Sequence, residues 1–390
     1  MISMKLYLGT SGWSYDEWVG IFYEKSENKL QQYIRVFNTV EMDSTFYSYP
    51  SLSTTSALAR ILPKNFKICA KMPNIITHKK LLGKQGNIVS DLERFLAVMQ
   101  PIIRKGTLGV ILIQLPPGLR YDYNLLGSFL DTLSSFSNNI RYAIEFRDKS
   151  WLRKDIYLLL ERYGVAYTIV DEPLLPPDIV ITADFSYIRW HGHGAKPWYN
   201  YWYKDEELKT WVPKIREILN KVEVLYGYFN NHYRAYAVHN CLKMLLLLGL
   251  INERQKKVLE TVESNILKPK VSIKKLNIDV KELDQKSVLE LLFILSTKER
   301  VQRGVKISPH EVVIRIRDNI IEAKIREYKV LIDIGKRVIF HNCADWAKIA
   351  VNKQLCKHLV RIFTQTPEEK AKSILKDIII NIDKWQFKTV

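Results

Sequence analysis

Short apolar runs recur along the first 250 residues, and the spacing between most of them is long enough for a helix. Eight runs read as strands, at 5–8, 39–42, 66–70, 109–115, 141–146, 165–170, 185–190 and 222–229. Helical patterns fall between them at 92–103, 125–133, 154–163 and 207–219. Strands that are apolar almost throughout are typical of parallel sheets buried on both faces. This rhythm predicts an α/β fold, a TIM (β/α)8 barrel in preference to an open doubly wound sheet.

The pattern changes past residue 250. Charged helical segments at 252–266 and 281–295 replace the alternation, and strand-like runs at 312–316 and 329–332 follow. We therefore predict a barrel over residues 1–252 and a smaller α+β domain over residues 253–390.

The charge balance is strongly basic. The 390 residues carry 59 Lys and Arg against 41 Asp and Glu, a net charge of +18. Residues 251–390 hold 29 of the basic and 18 of the acidic side chains, so the smaller domain carries more of the excess. Such a balance favours polyanionic partners such as nucleic acid, although solubility or a thermophilic composition would also produce it.

Several function classes are disfavoured by what the sequence lacks. No apolar run reaches the roughly 18 residues of a membrane span, and no signal-peptide pattern opens the chain, so we expect a cytoplasmic protein without a membrane partner. Neither the G-x-G-x-x-G nor the G-x-x-x-x-G-K-[ST] phosphate loop occurs. Four cysteines are too few for a disulfide framework.

Polar and aromatic residues follow the predicted strands at the ends where TIM barrels carry their chemistry. In strand order they are Ser11, Trp13, Tyr15 and Trp18; Glu41, Asp43, Ser44 and Tyr47; Lys71, Thr77 and His78; Gln114; Glu145 and Arg147; Asp171; Arg189 and His191; and Asn230, Asn231 and His232.

Seven sequence motifs that contain these residues resemble those of a known family: GTSGWSYDEW, FNTVEMDSTFY, ITHKKLL, ILIQLPPGL, AIEFRDKSW, YIRWHGHG and YGYFNNHYRAYAVHN. With them the chain resembles the YecE-like TIM-barrel family, known as domain of unknown function 72. One departure is Asp43, where the family is expected to carry Asn. The resemblance implies the barrel and no established reaction; members of the family have been proposed to bind DNA because their pocket is similar to that of endonuclease-type barrels.

The residue types at the strand ends allow two chemistries. The carboxylates and imidazoles could hold Mg²⁺ or Mn²⁺ that activates water, or Glu145 could act as general base while cations clamp a phosphate. We predict catalytic roles for Glu145, Glu41, His191, Arg147, Arg189, Lys71 and His78. We predict substrate binding by Ser11, Trp13, Tyr15, Trp18, Ser44, Tyr47, Gln114, Asn230, Asn231 and His232, whose aromatic members could stack on bases or sugars.

Structural interpretations of the same residues stay open. Glu145 and Arg147 point to the same side of a strand and could form an ion-pair layer. The histidines could be hydrogen-bonded structural residues, the asparagines could cap loops, and the aromatic segment 198–203 could pack against an outer helix.

A separate Cys/His pattern lies near the C-terminus. His341 and Cys343, then Cys356 and His358, form H-x-C, twelve residues, C-x-H. Two thiolates and two imidazoles are a complete tetrahedral set for structural Zn²⁺, with Asp345 as a competing ligand and unrelated buried cysteines as the alternative. The pattern resembles the SWIM zinc finger, with His341 in place of its first Cys. The resemblance implies binding of DNA or of a protein partner.

Basic residues surround this pattern at Lys348, Lys353, Lys357 and Arg361. They could neutralise phosphates or stabilise the thiolates. We predict a nucleic-acid-processing protein, a DNA nuclease or DNA-repair enzyme whose barrel mouth does the chemistry and whose zinc module holds the strand. The alternatives are a DNA- or RNA-binding adaptor without catalysis and an enzyme acting on sugars or sugar phosphates.

Overall fold

The computed structural model describes residues 5–136, 140–194, 198–267, 280–350 and 353–389. The chain divides into two compact units, Met1–Leu267 and Lys268–Val390. In the described part of the chain, no helix is both long and apolar enough to cross a membrane. Side chains 347 and 348, and with them the predicted phosphate contact Lys348, lie outside the described part.

Eight parallel strands form a nearly closed barrel in the first unit. They are β1 (Lys5–Thr10), β2 (Thr39–Met42), β3 (Lys67–Lys71), β4 (Leu108–Gln114), β5 (Arg141–Glu145), β6 (Ala166–Asp171), β7 (Phe185–Trp190) and β8 (Val224–Phe229). The hydrogen-bonded order runs β1-β8-β7-β6-β5-β4-β3-β2. All eight predicted strands are confirmed, because strands buried on both faces are apolar almost throughout and stand out in the sequence.

Helices and short turns connect the strands. They are α1 (Lys29–Tyr33), α2 (Ser44–Tyr47), α3 (Leu52–Ile61), α4 (Val89–Arg104), α5 (Tyr123–Ser134), α6 (Lys154–Tyr163), α7 (Asp205–Leu219) and α8 (Tyr236–Leu248). Their ends follow local chemistry: the Asp122 carboxylate accepts from the Leu125 amide at the start of α5, and Gly164 ends α6 in the left-handed region.

The barrel closes where β1 meets β2. A bridge joins Ser11 to Glu41, and the Gly12 amide donates to the Glu41 carbonyl at 2.7 Å. Gly9 makes this approach possible, since a Cβ built there would lie 2.4 Å from the Thr39 carbonyl oxygen. Glu41 is therefore fixed on the seam of the barrel.

Aromatic side chains fill the barrel interior below its carboxyl end. Tyr187, Tyr226 and Tyr228 pack there with Cys69 and small apolar residues. The Tyr228 hydroxyl lies 2.6 Å from Thr39 Oγ1 and 3.1 Å from Cys69 Sγ, and the Tyr187 hydroxyl donates to Glu41 Oε2 at 2.7 Å. The interior is a packed layer on which the polar mouth rests.

Helix α9 (Glu253–Leu267) belongs to the first unit. Arg234 donates to the Ile266 carbonyl at 3.0 Å, and Gln255 donates to the Val36 carbonyl at 2.8 Å. The predicted boundary near residue 252 is the start of this helix, and the division between the units follows its end.

The second unit combines a five-stranded sheet with helices. Its strands are β9 (Val312–Arg317), β10 (Ile320–Ile325), β11 (Tyr328–Asp333), β12 (Val338–His341) and β13 (Gln386–Thr389), in the order β13-β12-β11-β10-β9. Its helices are α10 (Val280–Asp284), α11 (Val288–Leu295), α12 (Lys298–Val305), α13 (Ala344–Ile349), α14 (Lys357–Gln365) and α15 (Glu368–Ile380). The prediction of an α+β arrangement is confirmed.

The predicted single helix at 281–295 is wrong, because residues 285–287 interrupt it. The Ser287 hydroxyl accepts from the Glu290 amide at 3.3 Å, and the Glu290 carboxylate accepts from the Ser287 amide at 2.8 Å. This reciprocal cap offers the backbone a local alternative to continued helix, so α11 begins anew after Ser287.

Candidate active site and metal centre

The barrel mouth is organised around one buried arginine. Arg189, on β7, donates to Glu145 Oε2 at 2.6 Å and to Glu41 Oε1 at 2.7 Å. The Ser11 hydroxyl donates to Glu41 Oε1 at 2.6 Å. The arginine side chain is 1% exposed and both glutamates are fully buried. Three strands thus contribute to a single charge-paired network.

A second arginine extends the network toward solvent. Arg147 Nε lies 2.6 Å from Glu145 Oε1, and its Nη1 donates to Glu172 Oε2 at 2.6 Å. Gln114 also donates to Glu145 Oε1, at 2.7 Å. Glu145 and Arg147 therefore form an ion pair, as the structural interpretation of these two residues expected.

These contacts fix the charge of the two central groups. Burial alone would raise the pKa of Glu145, but Arg147 and Arg189 lower it well below its usual range. Burial lowers the pKa of His191 to about 4, so its imidazole is neutral near pH 7. His191 Nδ1 lies 3.0 Å from Asn230 Nδ2, and its Nε2 lies 3.4 Å from Glu145 Oε1. Glu145 is therefore a weak base, and His191 supplies no positive charge.

Lys71 lies at the end of β3 in a different environment. Its side chain is 10% exposed, and Nζ lies 3.6 Å from Asp43 Oδ1 and 4.5 Å from the centre of the Phe46 ring. Burial lowers the pKa of this ammonium group. Among the described residues Nζ makes no hydrogen bond, which sets Lys71 apart from the two arginines.

His78 stands beside Lys71 on an unusual turn. It belongs to a single π-helical turn, Ile75–Lys79, and its Nδ1 is 2.9 Å from the Thr77 hydroxyl. Burial, together with the positive charges of Lys71 and Arg147, lowers the pKa of His78. π-helical turns are rare and often occur at functional sites.

Aromatic rings form one wall of the mouth. The His232 ring is sandwiched between Tyr15, at 4.4 Å, and Tyr199, at 4.7 Å between centroids. Trp18 is fully buried and donates from Nε1 to the His232 carbonyl at 2.7 Å. Trp13 is partly buried against the core. Trp18 therefore holds the loop, whereas Trp13 and Tyr15 keep partly accessible surface.

The asparagines of the FNN segment differ from each other. Asn230 contacts His191, as described above. Asn231 is fully buried and donates to the Tyr201 carbonyl at 2.8 Å and to Asn240 Oδ1 at 2.7 Å. Trp202 stacks on Tyr236 at 5.5 Å. Asn231 thus holds the 201–203 segment in place.

Two predicted binding residues lie on the short helix α2. Ser44 is exposed, and the Tyr47 side chain is 75% exposed at the outer edge of this helix. They are not drawn into the buried network. Glu172 and Tyr187, which are in the network, were missed by the sequence reasoning. Glu172 directly follows the end of β6, a position that could have revealed it.

The mouth does not offer a prepared divalent-cation site. Glu41 and Glu145 both face Arg189, and Glu145 also faces Arg147, so their oxygens are already paired. Within the described ranges, the one group of three or more possible ligands with suitable spacing lies in the second unit. The carboxylate set therefore does not fit the expected Mg²⁺ or Mn²⁺.

The second unit brings the four predicted metal ligands together. One ligand atom from each of His341, Cys343, Cys356 and His358 lies within 4.8 Å of all the others, and all four residues are buried. His341 Nε2 and His358 Nδ1 are 3.3 Å apart. A tetrahedral ion with metal–nitrogen bonds of about 2.0–2.1 Å requires a separation of about 3.3 Å. The cluster could therefore bind a metal such as zinc.

Hydrogen bonds to nearby backbone groups orient these ligands. The other ring nitrogen of His341, Nδ1, lies 2.7 Å from the Lys329 carbonyl, which orients the ring. Cys343 Sγ accepts from the Trp346 amide at 3.2 Å, and Cys356 directly precedes α14. Hydrogen bonds from Cys356 and from the two imidazoles lower the pKa of the Cys343 thiol.

The neighbouring charged residues have other partners. Asp345 faces Arg300 at 3.3 Å and is not part of the cluster. Lys353 donates to the Trp385 carbonyl, and Arg361 donates to the Val305 carbonyl at 3.4 Å. These two cations therefore stabilise the fold of the unit.

Comparison with known proteins connects the first unit to a described family. The profile of "Protein of unknown function DUF72" matches residues 7–264. The UPF0759 protein YunF of Bacillus subtilis is 24% identical over 274 residues, which cover 63% of this chain and 95% of that protein. The UPF0759 protein YecE of Escherichia coli K12 is 29% identical over 151 residues, 38% of this chain and 51% of that protein.

Solved structures agree with this match. A DUF72 family protein from Thermotoga maritima shares 31% identity at a TM-score of 0.58, covering 63% of this chain and 99% of that one. A DUF72 family protein from Enterococcus faecalis shares 20% identity at a TM-score of 0.57, covering 64% and 97%, which supports the fold. The family match ends within α9, so the second unit lies outside it.

Proposed function

This chain belongs to the DUF72 family, and from the geometry of its barrel mouth we propose that it processes nucleic acid at a damaged or base-free nucleotide. The net charge of +18 supports a polyanionic partner. An enzyme that acts on a single nucleotide extrudes it from the stack into a pocket, where aromatic side chains can hold it. Trp13, which is only partly buried, would supply such a surface at this mouth, whereas the Tyr15 ring is stacked on His232.

The charge balance favours sugar chemistry over phosphate chemistry. The mouth holds three cations, Lys71, Arg147 and Arg189, and four carboxylates, Glu41, Asp43, Glu145 and Glu172. Since each arginine is already paired with carboxylates, little positive charge remains to bind a phosphate deep in the site. A neutral sugar or aldehyde fits this environment better.

The environment of the Lys71 amine is the observation that carries the proposal. A buried lysine whose amine has no hydrogen-bond partner among the described residues is suited to attack a carbonyl carbon. Burial lowers its pKa, which increases the fraction of free amine available at neutral pH. Arg147 and Arg189 lack this reactivity because guanidinium groups stay protonated.

The reaction proceeds through an imine. The Lys71 nitrogen bonds to C1′ of a base-free deoxyribose in its aldehyde form, and water leaves as the C=N bond forms. A proton then leaves C2′, and the C3′–O bond breaks with release of a phosphate-terminated strand. Hydrolysis of the imine restores the amine. His78, whose pKa is lowered, is neutral beside Lys71 and is our candidate for the proton acceptor.

The second unit is proposed to be a zinc-binding nucleic-acid module. Zn²⁺ would be held by His341, Cys343, Cys356 and His358, a closed set without a position for substrate. Its role would be structural, since it would tie β12 to the start of α14. Residues 268–390 carry 26 Lys and Arg against 15 Asp and Glu, which supports binding to a polyanion.

Borohydride trapping tests the barrel proposal. Purified protein is incubated with an end-labelled oligonucleotide that contains one abasic site, with sodium cyanoborohydride and either EDTA or Mg²⁺. We expect a covalent adduct in EDTA that mass spectrometry maps to Lys71. Lys71→Arg should abolish the adduct. Lys79→Arg changes an exposed lysine on the π turn that carries His78, and this variant should retain the adduct.

Other outcomes would overturn this proposal in distinct ways. Strand cleavage that needs Mg²⁺ and leaves no adduct would favour a metal-dependent nuclease. Binding without product on abasic, uracil-containing and intact strands would favour a non-catalytic adaptor. Reaction with free sugar aldehydes but no binding to any oligonucleotide would favour a sugar enzyme.

A further inference from the structure

The sheet of the second unit has one exposed face, which we call the outer sheet face. On β10, Ile321, Ala323 and Ile325 are buried in the core, while the alternate residues Glu322 and Lys324 are exposed. On β12, His341 belongs to the metal cluster, so the adjacent Phe340 points to the opposite face. The metal cluster and the outer sheet face therefore lie on opposite sides of the same strand.

Two lysines lie directly opposite each other on this face. Lys324 on β10 is the cross-strand partner of Lys329 on β11, and both side chains are exposed. Like charges at directly opposite positions destabilise a sheet. Neither lysine forms an ion pair with any residue in the part of the chain that the structure describes. The pair therefore costs folding stability and is left free to bind an external anion.

Further cations and apolar side chains adjoin this pair. Arg315 on β9 is the cross-strand partner of Glu322, which lies two residues before Lys324 on the same face of β10. Leu331 and Phe340 are cross-strand partners, and Lys388 Nζ lies 5.7 Å from the centre of the Phe340 ring. Val313, Leu331 and Phe340 line an open depression of about 680 Å³ together with Arg315, Glu322 and the lysine pair. The face thus combines one aromatic platform with a border of positive charge.

We propose that the outer sheet face binds single-stranded nucleic acid. Phosphates would contact Lys324, Lys329 and Arg315, and an unstacked base would lie on Phe340. Exposed sheets that combine aromatic side chains with cations suit this ligand, since stacking requires free base faces and the cations follow the backbone. An acidic peptide would use the charges but would leave the aromatic platform without a specific role. This inference rests on the proposed nucleic-acid role of the second unit and does not depend on any chemistry at the barrel mouth.

Fluorescence anisotropy with the full-length protein and a labelled, undamaged dT15 strand tests the proposal. We expect Lys324→Gln/Lys329→Gln to weaken binding about tenfold and to reduce the slope of log affinity against log salt by about 1.4. The same variant should be at least as stable as the wild type to heat, because a like-charge pair is removed. Phe340→Leu should weaken binding about fivefold or more while the zinc content stays unchanged.

A matched control separates this face from overall charge. Lys306→Gln/Lys384→Gln removes two exposed lysines that lie off the sheet in the same unit, and it should change affinity by less than about twofold. The proposal would be overturned if the two double variants lost the same affinity for dT15. It would also be overturned if poly-glutamate displaced the labelled strand as effectively as unlabelled dT15 does. The dT15 strand has no abasic site and cannot form the Lys71 adduct, so failure of this surface, measured by dT15 anisotropy, is distinguishable from failure of the lyase chemistry, measured by borohydride trapping.

Discussion

The Arg189 guanidinium and the Glu145 carboxylate meet at 2.6 Å inside the barrel, with 1% and 0% of their side chains exposed. A pair this deeply buried is stable only while both charges are compensated. Glu41 completes the pairing of Arg189 from the far side of the site. The centre of the barrel mouth is therefore a fixed ionic network, and its reactivity must come from groups at its border.

Glu145→Gln should destabilise the barrel by about 3 kcal/mol, because it removes the buried carboxylate that Arg189 and Arg147 share and leaves each arginine with one buried partner, Glu41 or Glu172. Urea denaturation followed by circular dichroism measures the loss. Glu223→Gln is the control: Glu223 is an exposed partner of Arg141 at 3.4 Å, and its loss should cost less than about 1 kcal/mol. Similar costs for the two variants would contradict a buried, fully paired network.

His191 should make stability fall as pH drops below about 6.5. Its folded-state pKa of about 4 lies below the usual value, so the unfolded chain takes up the proton first and unfolding is favoured between pH 6.5 and 4. Between pH 7 and pH 5 the loss should be about 2 kcal/mol. Denaturation curves of His191→Asn should lack this part of the pH dependence. His193→Asn, which changes an exposed imidazole, should retain it.

Cys356→Ser should remove the metal from the second unit. The wild type is expected to hold one zinc ion per chain by mass spectrometry, and the variant close to none. The second unit should then unfold at a lower temperature, because the binding free energy of a structural zinc ion, on the order of 10 kcal/mol, stabilises the fold. Cys241→Ser alters a buried cysteine of the barrel and should keep the full zinc content. Equal metal in both variants would exclude the four-ligand site.

Gly9→Ala should open the barrel seam. Its new Cβ would lie 2.4 Å from the Thr39 carbonyl oxygen, so β1 and β2 must separate, at a cost of about 2–3 kcal/mol or more. Gly127→Ala provides the contrast, since nothing lies within 4 Å of that position in α5. Alanine there should be neutral or stabilise the fold by up to about 1 kcal/mol. In thermal melts, the melting temperature of Gly9→Ala should fall well below that of the wild type, and that of Gly127→Ala should stay the same or rise. Equal melting temperatures for the two variants would contradict the close approach at Gly9.

The hydrophobic pattern of the sequence alone was sufficient to predict the barrel. Its strands are buried on both faces, so each is an apolar run that the helical segments separate clearly. Strands β10 and β13 were not predicted. β10 alternates exposed and buried residues within a strongly charged segment, and β13 has only four residues. Short or half-exposed strands give a weak pattern, and their pairing supplies the missing stability.

For the sites, the residue types and spacing in the sequence determined which side chains carry chemistry. The H-x-C and C-x-H pairs were recognisable because two thiols and two imidazoles at that spacing are rare without a metal. The tertiary structure alone decided how the barrel residues divide their roles. Arg189 meets Glu41 across 148 positions of the chain and so neutralises a carboxylate that the sequence left free to act as a base or ligand. Lys71 Nζ makes no hydrogen bond among the described residues and lies 3.6 Å from Asp43, and Lys324 meets Lys329. Charge state and reactivity depend on burial and on neighbours distant in sequence, which only the folded chain brings together.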